Sequence, residues 1–399
     1  MTALLTLEEA QRRILASAKP LETEDVPTPE AVGRVAAEDT RAVVDLPPFP
    51  SSAMDGFAVR VVDLPGRLAI VGEAAAGHPS NRVLRAGEAV AISTGGVVPE
   101  GADAVIPIEY VVQYDNVVEI PQSVASGANV RPRGGDVAAG DVVVPAGRRI
   151  AAAQLGALAA AGVASLRCGR RPRVEIVVTG SELAPLGASL APGQVYEANG
   201  VMVAAALASV GAHIEAPRAV ADDETAHREA LERGLDADVL VTSGGVSVGT
   251  HDLVREIERR LGVEEVFWRV AVKPGKPLSF GVRRDTLVFG LPGNPVSALV
   301  GCELFVKPAL RALQGLAEPL PSFEPGRLAA PLARNDGRDE LVRARSRLDP
   351  QGVTLEPLIG QESHMIARAA AADAFVHVPR GKGELAAGEI VSWLRLGQP

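Results

Sequence analysis

Two short, wholly apolar runs, Val239-Leu240-Val241 and Leu287-Val288-Phe289, each lead straight into a glycine-bearing loop. Runs this short, with no polar alternation, suit strands covered on both faces, the pattern of a parallel sheet in an α/β layer. If the two strands lie parallel in one sheet, their loops open on the same carboxyl rim, where open α/β folds bind ligands. The loops are Ser243-Gly-Gly-Val-Ser-Val-Gly249, with Asp252 just beyond, and Leu291-Pro-Gly-Asn-Pro-Val-Ser297. A third loop, Lys273-Pro-Gly-Lys-Pro277, follows the apolar run Val270–Val272. Glycines for close backbone approach, hydroxyls, two lysines and a carboxylate suit a polyanion held with a metal ion.

At 399 residues the chain is too long for one core, and two to four domains are expected. A net charge of −9 and only 3% aromatic residues argue against non-specific phosphate-backbone binding and base-stacking platforms, so no nucleic-acid partner is expected. Cys168 and Cys302 stand far apart and form no metal-ligand spacing. With no signal-like start and no long apolar run, a cytoplasmic protein without a membrane span is expected.

Thr6-Leu-Glu-Glu9 reads as a capping box opening a helix that Pro20 stops. A short helix after Pro29 and a strand over 40–44 are expected next. From about 45 to 140, closely spaced glycine turns mark a small β-rich insertion. Residues 140–166 return through a strand and an alanine-rich helix, and Arg167–Arg173 reads as a linker. Strands at 174–178, 214–220 and 239–241 alternate with helices at 201–209 and 224–233. A last helix is expected over 295–312, and from about 320 strands and turns imply a β-barrel or sandwich.

The glycine-rich loop can present successive N–H groups, with Ser243 and Ser247 as further donors around Gly244 and Gly245. A tight turn before a helix is the plainer alternative, with Asp252 as its cap. A carboxylate beside a phosphate cradle more often implies Mg²⁺. Lys273 and Lys276 sit on a loop stiffened by Pro274 and Pro277; a solvated surface loop is the alternative. Pro292, Asn294 and Pro295 form a strand exit whose helix N-terminus is a second anion site, with Ser297 able to donate. Thr179-Gly-Ser-Glu182 ends the first strand of the sheet, either as a plain turn or with Glu182 beside the ligand. No Walker loop, zinc-protease helix, dinucleotide fingerprint or nucleophile elbow is present.

Taken together, these motifs resemble the MoeA family, the molybdopterin molybdenumtransferases related to the E domains of gephyrin and Cnx1. The resemblance runs from about residue 5 to 396. It rests also on Ser52-Ala-Met-Asp-Gly-Phe57, Ser93-Thr-Gly95, Pro99–Val105 and Arg131–Asp136. It implies a multidomain α/β fold in four parts. These are a split helical domain (1–44 plus 140–167), an inserted β-rich domain (45–139), a molybdopterin-binding α/β domain (168–318) and a C-terminal β-barrel (319–399). It implies a homodimer whose cleft is shared between subunits. The implied reaction takes adenylylated molybdopterin and molybdate to molybdenum cofactor and AMP, with Mg²⁺.

By motif, Ser247, Lys273, Lys276, Pro277 and Ser297 would hold molybdate and the pterin phosphate, with Arg343 and Ser363 from the C-terminal domain. Asp55, Glu182, Asp222 and Asp252 match acidic positions important for activity, Asp252 being the metal-side candidate. One segment departs from the family pattern: in Gln361-Glu-Ser-His-Met-Ile-Ala-Arg368, Glu362 and His364 replace glycines and Ala367-Arg368 replaces a hydroxyl pair. A tungstate-inserting paralogue, a molybdopterin adenylyltransferase and a gephyrin-like scaffold are the alternatives.

Overall fold

The structure, a computed structural model, describes residues 4–221, 223–244 and 253–397. The Thr6 hydroxyl accepts the Glu9 N–H at 3.2 Å and opens helix α1, Leu7–Ser17. Its apolar stripe (Leu7, Ala10, Ile14) and the following Ala18 are buried in the same cluster as the central α/β sheet. The helix expected after Pro29 is only a 3₁₀ turn, Thr28–Glu30. The strand expected over 40–44 stops at Arg41, because the Val43 and Val44 N–H groups both turn to the Ala161 carbonyl.

The expected linker at 167–173 is mostly a strand. Ser165–Gly169 pairs antiparallel with Thr23–Pro27, burying Leu166 and Cys168 while Arg167 points outward between them. The charged residues disguise an ordinary half-buried alternation. Helix α2, Ala152–Ala160, packs Leu158 against this small unit.

The insertion is a six-stranded sheet in the order 104–107, 56–59, 88–92, 66–74, 117–120, 112–114. It has buried clusters of its own around Phe57, Leu68 and Ile120, and around Leu84 and Ile92.

The central sheet is parallel through four neighbours, His213–Ile214, Arg173–Thr179, Val239–Ser243 and Thr286–Leu291, with Arg218–Val220 also on Arg173–Thr179. Ser279–Arg283 and Glu264–Trp268 extend it antiparallel. Helices α3 (Asn199–Ala208), α4 (Glu224–Gly234) and α5 (Leu253–Arg260) belong to this layer. The expected long last helix is α6 (Pro295–Gly301), a π-helical stretch Cys302–Val306, and α7 (Lys307–Leu313). Pro308 has no N–H to offer the turn before it. The Leu304 carbonyl instead accepts from the Gln11 side chain at 2.9 Å, tying α1 to this helix.

Strands 324–328, 339–349, 352–357, 374–378 and 390–395 close into a five-stranded barrel, accompanied by the short α8, Ile366–Ala369, and the small pair 332–333 with 384–385. Among the described residues no helix is long and apolar enough to cross a membrane.

Gly56, next to Asp55, is dictated by a close backbone approach: a Cβ there would lie 1.9 Å from the Ile106 carbonyl oxygen. Gly56→Ala must push the 104–107 strand away. It is expected to destabilise the inserted sheet by about 3 kcal/mol, read as a shifted chemical-denaturation midpoint. An unshifted midpoint would refute the close-approach argument.

Candidate active site at the carboxyl rim

Strand register places the loops. Ser243 pairs with Val178 on one side and with Leu291 on the other, so three strands end side by side. The loops beyond them then touch through glycine. Gly244 has φ +95°, and a Cβ on it would meet the Thr179 carbonyl oxygen at 2.5 Å. Its N–H donates to the Leu291 carbonyl at 3.2 Å, and a Cβ on Gly293 would stand 3.6 Å from the Gly244 Cα. Glu182, exposed, folds its carboxylate over Gly180, where a Cβ would lie 2.7 Å from both oxygens.

Asn199, on the first turn of α3, fastens this arrangement. Its amide donates to the Ser243 hydroxyl at 3.0 Å and to the Gly293 carbonyl at 2.7 Å, and the Ser243 hydroxyl reaches the Pro292 carbonyl at 3.3 Å. Ser243, Asn199 and Pro292 are all buried. The Ser243 hydroxyl is therefore engaged in joining two loops rather than open to a ligand. Nothing local in the sequence marks Asn199, which stands at the head of an otherwise apolar helix; its role depends on loops 44 and 94 residues away.

The lysine loop belongs as much to the barrel as to the sheet. Val272–Lys273 pairs in parallel with Asp339–Glu340, and Lys273 Nζ lies 2.9 Å from Glu340 Oε1. A Cβ on Gly275 would lie 3.7 Å from the Ser297 carbonyl oxygen, so the loop rides over the start of α6. Lys276 is exposed and Pro277 half-buried. The barrel's 361–365 loop meets the same helix start: the Val296 N–H donates to the Ser363 carbonyl at 3.1 Å. Pro295 has no N–H, Asn294 makes no side-chain cap, and Ser297 is 4% exposed. The helix start thus offers a ligand fewer free donors than expected from sequence.

Arg343 is 1% exposed. Its guanidinium donates to the carbonyls of Gly360, Glu362 and Met365 at 2.8–3.2 Å and to the Gln361 amide oxygen at 3.2 Å. Burial holds its pKa below the usual arginine range, although Glu362 pulls the other way. It braces the loop that carries Ser363. Asp55 stands apart, exposed on the inserted sheet and sharing no hydrogen bond with the rim among the described residues. Its carboxylate accepts from the Thr94 N–H at 2.6 Å and hydroxyl at 3.0 Å. Those two bonds hold its pKa below the ordinary carboxylate range.

Gly245, Ser247, Asp252 and Asp222 lie outside the described residues. Among the described residues no group of three or more His, Cys, Asp or Glu side chains is placed to hold a metal. A groove of about 610 Å³ lies between α5 and the 264–268 and 279–283 strands. Its lining sets Glu256, Glu258, Glu264 and Glu265 against Arg255 and Arg259, a negative balance and the wrong sign for a polyanion.

Sheet, lysine loop and barrel define a multidomain α/β protein in which the barrel completes the carboxyl rim of the sheet. Comparison with known proteins gives the family. Residues 5–162 match the MoeA N-terminal region (domains I and II), 175–312 a probable molybdopterin binding domain, and 325–396 the MoeA C-terminal region (domain IV). A curated relative from Mycobacterium tuberculosis, molybdopterin molybdenumtransferase 2, is 37% identical over 396 residues, covering 96% of this chain and 97% of that protein. The molybdopterin molybdenumtransferase of Haemophilus influenzae is 34% identical, covering 98% of each. A solved MoeA protein from Pyrococcus horikoshii superposes with a TM-score of 0.84 at 27% identity, covering 98% of this chain and 100% of the other. The chain belongs to the MoeA family of molybdopterin molybdenumtransferases.

Asn199→Ala leaves the buried Ser243 hydroxyl and the Gly293 carbonyl without their donor, and should cost about 2 kcal/mol of stability. Asn199→Asp should cost more at neutral pH, because a carboxylate would face the Gly293 carbonyl. That extra loss should shrink as pH falls and the carboxyl protonates. Denaturation midpoints measured against pH check both; equal midpoints for wild type and Asn199→Ala would remove Asn199 from the site's framework.

Proposed function

We propose that this chain inserts molybdenum into molybdopterin, taking the adenylylated pterin and molybdate and releasing molybdenum cofactor and AMP. One observation supports this above the rest. The rim loops of the α/β sheet, the lysine loop and the barrel's Ser363 loop all meet around the start of α6. The substrate is a polyanion and molybdate a second anion, and Lys273 and Lys276 supply the opposing charge. Exposed Gly293 lets a phosphate come close to the backbone. Glu182 is the described carboxylate best placed to orient water against the pyrophosphate link. Asp222 and Asp252 are further acidic candidates from the family pattern.

Asp252 would be the first carboxylate to hold Mg²⁺, a cation that needs no all-protein cage when it works on phosphates. The metal would neutralise phosphate charge. Ser363 supplies its loop's contact to the helix, and Arg343 acts through that loop. We read the active unit as a cytoplasmic homodimer in which Asp55 serves the partner's rim, with the four domains bounded as the sequence suggests. Exposed Glu362 and His364 leave molybdate against tungstate to be decided by competition in the same assay.

Purified protein given adenylylated molybdopterin, molybdate and Mg²⁺ should release AMP, and Lys276→Ala should slow release by about a hundredfold. Release no faster than from boiled protein, with ligand still bound, would end the proposal. Shared sites have their own test. Mixing Asp55→Ala with Lys276→Ala protein should restore part of the activity, because hybrid dimers carry one intact site. No recovery after verified subunit exchange would place Asp55 outside the partner's site.

A further inference from the structure

Two guanidinium groups lie over one indole at the far end of the carboxyl rim. Trp268 pairs with Ser279 and Ser279 with Gly290, so Trp268 ends its strand level with the exit of the 286–291 strand. Arg255, on the first turn of α5, has its guanidinium carbon 4.1 Å from the Trp268 ring centroid; that of Arg269 is 3.6 Å away. The two arginines differ in their charge partners. Arg255 is paired with Glu265, its Nε donating at 2.9 Å. The Arg269 guanidinium has neither a carboxylate nor a hydrogen-bond acceptor among the described residues.

Arg269 is also held in place. Its φ is +75°, a left-handed conformation uncommon outside glycine. Its N–H donates to the Leu278 carbonyl at 2.8 Å, and the next residue, Val270, donates to the Lys276 carbonyl at 3.1 Å. Arg269 therefore closes the base of the lysine loop. A second donor beside it lacks an acceptor: the Trp268 indole Nε1 is buried without a hydrogen-bond partner. Buried donors without acceptors are costly. A guanidinium stacked on an aromatic face keeps its in-plane N–H groups free, in the fork that suits phosphate oxygens.

We propose that Arg269 and the Trp268 indole form a further anion subsite on this rim, taking a phosphate group of the nucleotide half of the substrate. The assignment rests on the reading that the substrate is adenylylated. It adds Arg269 as a binding residue and Trp268 as the group that positions it. The neutralised Arg255 holds the indole from α5, while Arg269 keeps its charge for the ligand.

The test is calorimetric titration of the full chain with AMP and, separately, adenosine. Wild type is compared with Arg269→Asn, which tolerates the left-handed backbone, and with Arg269→Lys. AMP should bind wild type at least tenfold more tightly than adenosine. Arg269→Asn should weaken AMP at least tenfold, Arg269→Lys less, and neither should move adenosine. AMP should also perturb tryptophan fluorescence in wild type and not in Trp268→Phe, since Trp393, the other tryptophan, is fully buried in the barrel. Equal AMP affinity in wild type and Arg269→Asn, or AMP bound no better than adenosine, would overturn the subsite. AMP release by wild type separates the two readings: release with unaltered AMP binding in Arg269→Asn removes the subsite and leaves the function. Arg269-dependent AMP binding without release leaves the subsite and removes the function.

Discussion

The register between the Val239–Ser243 and Thr286–Leu291 strands sets where the rest of the site can be. Both strands are almost wholly buried, so a slip of one residue would turn core side chains the wrong way and is strongly resisted. With the register fixed, Ser243 and Leu291 must end together, and the loops after them must pass at backbone distance. Only glycine satisfies that at 244, where any side chain would strike Thr179. Asn199 then converts proximity into a fixed geometry by donating to both loops. The helix start and the barrel loop dock on that platform, the Val296 N–H donating to the Ser363 carbonyl.

Much of this was legible in the sequence because it follows local rules. The apolar runs, the capping box at Thr6 and the helices expected at 201–209 and 224–233 all report on neighbours a few residues away. What escaped depends on distant partners. Ser165–Gly169 is a strand only because Thr23–Pro27 lies beside it, and Arg167, with the arginines that follow the strand, disguises the alternation. Helix α1 reads as amphipathic from sequence, yet which core receives it is decided by Gln11 finding the carbonyl opposite Pro308. The lysine loop looks like a connection between two strands of one sheet; its pairing with Asp339–Glu340 joins it to the barrel instead.

Positive charge was the least legible feature, because a sequence shows which residues carry it and not what already claims it. Arg343 is conspicuous in sequence, yet its donors are consumed by the 360–365 loop. Arg269 belongs to none of the loop motifs, yet its guanidinium lies on the rim without an anion among the described residues. Lys276 stays exposed, whereas Lys273 carries Glu340.

Magnitudes say what these partnerships mean for a ligand. The Lys307–Glu303 pair, 2.7 Å apart with side chains only 2% and 10% exposed, is locked into the α6–α7 helix. Breaking such a pair by removing one partner costs several kcal/mol. The Lys273–Glu340 pair is of another kind: the lysine side chain is 43% exposed but the glutamate only 13%. The ammonium meets water, whereas Glu340 would be left mostly buried without its cation if Lys273 turned away. Glu340 therefore keeps the lysine extended across the seam between sheet and barrel. A phosphate or oxyanion arriving there has to share the ammonium with Glu340 rather than remove it, so the pair that joins the two units also sets where on the rim that charge is offered.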